Sequence, residues 1–204
     1  MASPARRLVK PVLFICDLQE RFRNAIHEYD KVIATTQKML HASRVLSIPV
    51  FATTQLKGKL GETCPELGLD TPEGVQTKVH ADKSAFSMFV PEVRKAFEAL
   101  GPEKREVIIV GIESHICVTQ TTLDLLHEGH KVYVLADGVS SCNKEEIPIA
   151  LARLRSSGAV VTTSESFLYE LMGDAGIVEF KAIAGLVKQH SEKTKSSLQA
   201  LCKI

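Results

Sequence analysis

Apolar residues in this chain come in two rhythms, and the alternation between them is the first structural fact. Short, β-branched, nearly continuous apolar runs recur as VLFICD (12–17), PVFATTQ (49–55), VQTKVH (75–80), EVIIVG (106–111), KVYVLAD (131–137) and AVVTTSE (159–165), each of strand length. Between them the apolar positions take helical spacing. Asp30 to Leu46 carries Val32, Ile33, Met39, Leu40, Val45 and Leu46 on one side, and further helices are predicted near Pro91–Leu100, Ile116–Glu128, Lys144–Ser156, Ser166–Leu171 and Ile177–Lys188.

A strand that is apolar throughout, rather than at every second residue, is buried on both faces. Strands of this kind separated by helices require crossover connections of one hand, and so a parallel sheet covered on both sides. The predicted fold is α/β, a three-layer α/β/α domain of Rossmann-like type with one core, about residues 10–189. The end, His190–Ile204, contains Lys193, Lys195 and serines, and reads as a flexible, solvated tail. One connection lacks a helical pattern: KLGETCPELGLDTPEG, after the second strand, has glycines and prolines where a crossover helix is expected, and we place it as a loop over the mouth of a site.

Composition narrows the function. At 204 residues a single domain suffices, and 45% hydrophobic with 24% charged residues is the balance of a globular chain. Lys and Arg (25) nearly cancel Asp and Glu (24), and aromatic residues are 5%, so neither a basic stripe nor a stacking platform speaks for nucleic acid, and nuclease activity is disfavoured. The five cysteines are scattered without a C-x-x-C pair, which argues against a disulfide framework and against a zinc cluster, and for a reducing compartment. Apolar runs are too short to cross a bilayer, and Arg6, Arg7 and Lys10 are too few for a transit segment; no membrane partner and a cytoplasmic location are expected, mitochondrial association being the alternative.

In an open parallel sheet, ligands bind beyond the carboxyl ends of the strands where the strand order reverses. Those ends present Asp17, then Thr53, Thr54 and Gln55, then His80, Asp82 and Lys83, then Glu113, Ser114, His115 and Cys117, then Asp137, and last Thr163, Ser164 and Glu165. With order 3-2-1-4-5-6, strands one and four are neighbours about 4.8 Å apart, so Asp17 and Cys117 can meet and the flexible stem of Lys83 can reach them. A thiol at a helix N-terminus sees the positive end of the helix dipole, and a nearby ammonium adds to that field; both favour the nucleophilic thiolate.

In such a set Asp17 would relay the thiol proton, and backbone N–H groups of Ile116 and Cys117 would form an oxyanion hole. Each residue also has a plain reading: Cys117 as a small apolar filler, Asp17 as a helix cap, Lys83 as a surface charge. Asp137 and the Ser164–Glu165 pair read as loop and cap residues. His115 is left out because it points to another face than Cys117. Cys16, inside the first strand, is expected to face away from Asp17.

Taken in register, CDLQERF, ADKSAFSMF and GIESHICVTQTTLDLL resemble the isochorismatase-like cysteine hydrolase family, over roughly Val12 to Ala182, and the LGETCPELG loop resembles its isochorismatase domain-containing subgroup. The resemblance implies a six-stranded parallel sheet and an Asp-Lys-Cys triad falling on Asp17, Lys83 and Cys117. It further implies a cis peptide at Ile112–Glu113, a pocket with Phe22, Gln55, Leu60 and Phe86 as candidates, and homo-oligomerisation. Nicotinamidases of that family bind a metal through an Asp-x-His pair after the second strand; Thr53-Thr54-Gln55-Leu56 stands there, so no metal and no cofactor is carried over. The thiol favours acyl transfer. The expected function is hydrolysis of a small amide or related acyl compound through a thioester. An isochorismatase-type vinyl ether hydrolase and a non-catalytic binding or scaffold protein are the alternatives.

Overall fold

The computed structural model describes residues 5–69, 71 and 77–202. Six strands, β1 (Pro11–Cys16), β2 (Val50–Gln55), β3 (Thr77–Lys83), β4 (Glu106–Ile112), β5 (Lys131–Ser140) and β6 (Val160–Thr162), form one sheet in the order β3-β2-β1-β4-β5-β6. Every pairing is parallel. All six residues of β1, in the middle of the sheet, are buried, as its unbroken apolar run requires.

Helices α1 (Tyr29–Leu46), α6 (Ser164–Met172), α7 (Phe180–Gln189) and α8 (Ser191–Leu201) cover one face. On the other lie α3 (Pro91–Glu98), α4 (Cys117–His127) and α5 (Glu146–Ser156), while α2 (Lys57–Leu60) is a single turn after β2. Phe14 of β1, Phe51 of β2 and Phe97 of α3 meet with ring centroids 5.2–5.7 Å apart, mostly edge to face, and anchor the core on that side.

Three expectations are corrected. The tail read as loose is α8, which buries Thr194, Ser197 and Leu201 against α1 and β5; Lys38, buried in α1, donates to Thr194 Oγ1 at 2.8 Å. The third strand begins at Thr77 and runs on through Lys83, so Lys83 is its last residue rather than one beyond it; Val75 and Gln76 lie outside the described residues. The connection after β2 is not structureless either: it holds α2 and a 3-10 turn at Pro65–Leu67, with Cys64 buried and its sulfur 3.3 Å from the Tyr29 hydroxyl. Asp70 and residues 72–74 of that loop lie outside the described residues.

At the centre of the sheet, Cys16 of β1 pairs with Gly111 of β4. A Cβ on Gly111 would lie 2.1 Å from the Cys16 carbonyl oxygen, and its φ of 118° is one that side chains rarely adopt. Glycine here lets β4 run close against the end of β1 before the chain turns toward α4.

Candidate active site

Asp17 follows β1 with a left-handed φ of 50°, a conformation that Asp tolerates better than most residues. Its carboxylate accepts from Thr53 Oγ1 at 2.7 Å through Oδ1 and from Lys83 Nζ at 2.7 Å through Oδ2. Lys83 fills its other donor positions with Gln55 Oε1 at 2.6 Å and the Ala85 carbonyl at 3.2 Å. The ammonium is thus fully coordinated, and its side chain and that of Asp17 are 0% and 2% exposed. Burial alone pulls the Lys83 pKa down, but negative charge at Cys16, Asp17 and Cys117, with the bond to Asp17, leaves it raised.

Gln19 holds this edge together. Its Nε2 donates to the carbonyls of Gln55 (3.2 Å) and Gly61 (2.7 Å), and its Oε1 accepts from Gln55 N at 2.7 Å. One buried amide therefore ties the turn after β1 to the end of β2 and to the loop beyond α2. Thr53 and Gln19 were absent from the predicted set. Their signal was available: Thr53 stands at a strand end, and Gln19 lies within CDLQERF.

Cys117 opens α4 and is 7% exposed. Asp17, Phe22, Gln55, Phe86, Ile112, Glu113, Ile116 and Cys117 line one pocket of ≈ 100 Å³. The structure therefore brings Asp17, Cys117, Phe22, Gln55 and Phe86 to a common cavity, with Lys83 behind it. Leu60 is not among the lining residues: it ends the single turn of α2, one residue before the Gly61 carbonyl that Gln19 holds. A larger groove of ≈ 460 Å³ lies between α1 and α8 and contains none of these groups, so chemistry rather than size selects the site.

The Ile112–Glu113 peptide is cis. The N–H of Ile116, expected in the oxyanion hole, instead donates to the Glu113 carbonyl at 3.1 Å, as does that of Val118. The turn satisfies these two donors itself. Among the described residues the Cys117 N–H has no such acceptor, which leaves it as the available donor of the pair.

Cys16 departs from the strand rule. Its sulfur lies 3.6 Å from Asp17 Oδ2, and burial and a hydrogen bond to Cys117 push its thiol well up. Alternation across a strand holds only while the strand continues, and the left-handed turn at Asp17 ends it, so consecutive side chains reach the same place. Away from the pocket, Asp137 accepts from Ser164 N at 2.7 Å and also from its hydroxyl, bracing the start of α6. His115 Nδ1 meets Ser141 Oγ at 2.9 Å.

A six-stranded parallel sheet in this order, with these groups gathered at its carboxyl edge, defines the class: a three-layer α/β/α protein of the isochorismatase-like hydrolase fold. The isochorismatase domain matches residues 11–166, and the chain belongs to that family. It is 43% identical over 179 residues to the secreted isochorismatase effector Isc1 of Phytophthora sojae, covering 88% of this chain and 85% of that one. It is 40% identical over 191 residues to human isochorismatase domain-containing protein 2, covering 92% and 89%. Among solved structures, that of the MAR1 ribonuclease from Caenorhabditis elegans superposes with a TM-score of 0.80 at 37% identity, covering 88% of this chain and 90% of that one.

Proposed function

We propose that this protein is a cysteine-dependent hydrolase of a small, uncharged amide or related acyl compound. The observation that carries this reading is the buried Lys83–Asp17 pair, 2.7 Å apart, behind a small pocket that Asp17 and Cys117 both line. Thiol, carboxylate and ammonium are the groups that acyl transfer needs: a nucleophile, a proton carrier and a fixed positive charge.

In the first half-reaction the Cys117 sulfur forms a bond to the acyl carbon as its proton passes to Asp17. The tetrahedral oxyanion is met by the Cys117 N–H. The C–N bond then breaks, Asp17 returns the proton to the departing nitrogen, and an acyl thioester remains. In the second half, water adds to the thioester while Asp17 takes its proton. Collapse expels the sulfur, which regains that proton, and the carboxylic acid leaves. Lys83 keeps the Asp17 carboxylate in place and balances its charge throughout.

Phe22, Phe86, Ile112 and Ile116 make the pocket walls apolar, and Glu113 contributes a carboxylate, so a neutral acyl group suits it better than an anionic one. A panel of short-chain amides assayed with the wild type and with Cys117→Ala tests the reading. Hydrolysis that survives in Cys117→Ala would contradict the covalent route, and activity on isochorismate without the thiol would turn the assignment to acid-catalysed ether cleavage by Asp17.

A second reading, cleavage of RNA, is favoured by the likeness to the C. elegans protein, which is named a ribonuclease. The two carboxylates among the lining residues oppose a phosphodiester, and the near-neutral chain supplies no field to attract one. Single-stranded RNA incubated with wild type and Cys117→Ala separates the two, since only the ribonuclease reading yields cut RNA. Self-association belongs to the same proposal, with Ile149 and Val178, 65% and 92% exposed, as apolar contact points; sedimentation velocity reads it.

A further inference from the structure

Beside the pocket, but outside the chemistry just described, three metal-ligating side chains converge. The register Ile112↔Ser140 sets the ends of β4 and β5 side by side, and Ser114 N donates to Ser140 O at 2.8 Å. The residues that follow each strand are therefore neighbours although they lie almost thirty positions apart. Glu113 and His115 come from the turn after β4, and Cys142 from the loop after β5. One ligand atom from each lies within 4.8 Å of the other two.

We propose that Glu113, His115 and Cys142 bind a divalent cation of zinc type at the lip of the pocket, with water completing a tetrahedral set. Zinc bonds of about 2.0–2.3 Å to nitrogen, oxygen and sulfur put ligand atoms roughly 3.4–3.7 Å apart, so small side-chain rotations close the observed spacing. A thiolate and an imidazole beside one carboxylate select zinc, cobalt or a similar ion over magnesium or calcium, which prefer all-oxygen shells.

The surroundings support a ligand set rather than a chance cluster. Glu113 Oε2 already accepts from the Cys142 backbone N–H at 2.8 Å, which fixes the carboxylate beside the thiol. Ser141 Oγ, 2.9 Å from His115 Nδ1, fixes the imidazole plane, the kind of outer contact that ligating histidines carry. Among the described residues no lysine or arginine pairs with Glu113. The contrast is the other trio with similar spacing, Glu20, Cys64 and Glu66, where the Arg23 guanidinium bonds both carboxylates and so takes the cation's place.

Cys142 and half-buried His115 and Glu113 stay within reach of solvent, so the ion can enter. On binding, the Cys142 thiol gives its proton to water and no redox step is involved. Glu113 both ligates the ion and lines the pocket, so occupancy couples to the cavity through that one residue. This inference goes beyond the hydrolase reading and does not depend on it, because its test needs no turnover.

The experiment is a titration of the reduced full-length protein with Co²⁺, followed by the thiolate-to-cobalt charge-transfer absorption and by metal analysis after desalting. Wild type and Cys117→Ala are expected to bind one equivalent with a charge-transfer band. Cys142→Ser, exposed and folded as judged by circular dichroism, is expected to lose the band, and His115→Ala to bind at least tenfold more weakly. A wild type without band or bound metal overturns the proposal. So does a band that persists in Cys142→Ser, or one that disappears only in Cys117→Ala, which would place the ion on the nucleophile.

Discussion

Lys83 Nζ lies 2.7 Å from Asp17 Oδ2 across the end of an intervening strand. β2 separates β3 from β1, so the two backbones stand about 9.6 Å apart, twice the inter-strand spacing, and the four-carbon stem of lysine spans most of it. Gln55, at the end of β2, accepts from the same ammonium on the way. Charge neutralisation at the sheet edge therefore depends on the order of the strands as well as on the residues themselves.

Removing one member of that pair strands the other. Lys83→Met is expected to lower the unfolding free energy by about 3–5 kcal/mol, and Asp17→Asn combined with Lys83→Met to restore part of it, because breaking a buried pair costs more than replacing it whole. Urea denaturation of wild type, Lys83→Met, Asp17→Asn and the double variant checks this. Equal losses in the single and double variants would mean that the two charges do not interact.

The same pair sets an alkaline limit. The Lys83 pKa is raised by its anionic neighbours and its bond to Asp17, against the downward pull of burial. Folded protein then holds that proton more tightly than unfolded chain. The contribution is whole below the ordinary lysine range and is lost as pH rises through the raised value. The stability difference between wild type and Lys83→Met should be level from pH 7 up to about 10 and shrink above it; a difference that grows in that range contradicts the assignment.

On the opposite face the acid limb belongs to histidine. His190, 7% exposed and with no partner for Nδ1 among the described residues, meets the His41 ring at 5.9 Å. Burial depresses both pKa values, with His41, Lys193 and Lys38 acting further on His190 and Arg44 on His41. Their neutral forms are favoured by folding, so stability present above the ordinary histidine pKa is lost as pH falls below it. His190→Phe should flatten the melting temperature between pH 7 and 5; an unchanged slope would assign the acid loss elsewhere.

α8 is fastened by a buried ammonium. Thr194→Val keeps the shape of the side chain but removes the acceptor of Lys38, and should cost about 1–3 kcal/mol, which Lys38→Met in the same chain largely returns. Hydrogen exchange along α8 should accelerate in the single variant. Unaltered exchange would mean that α8 is held by its other contacts alone.

Glycines give a paired control. Gly111→Ala puts a Cβ against the Cys16 carbonyl and should prevent stable folding or displace the turn that carries Cys117. Gly185→Ala, in an exposed stretch of α7 with nothing within 4 Å, should stabilise by about 1 kcal/mol. Thermal melts of the two variants in opposite directions are the expected result.

The centre of the sheet was legible because β1, β4 and β5 are apolar at nearly every position, a pattern that burial on both faces produces and one-sided burial does not. The gathering of Asp17, Lys83 and Cys117 followed from the strand order plus the length of a lysine side chain. What escaped reading has physical causes. SEKTKSSLQAL looks solvated because α8 buries hydroxyls and one leucine instead of an apolar stripe, and its partner is a lysine. Cys16 was placed on the wrong side because alternation was extended through a residue that leaves the strand. The Ile116 N–H was counted as free because a turn's internal bond to the Glu113 carbonyl has no sequence signature. Gln19 is one polar residue in a motif, and its three hydrogen bonds exist only once β2 is beside it.

The central claim is that Cys117, though nearly buried, is an activated sulfur open to a small electrophile through the pocket. Its most direct test is the rate of iodoacetamide labelling at each cysteine of the native protein, resolved by peptide mass spectrometry. Cys117 should react well ahead of exposed Cys142, and that lead should vanish in Asp17→Asn and Lys83→Met. Labelling of Cys142 first, with Cys117 reacting only after the protein is unfolded, would contradict the account.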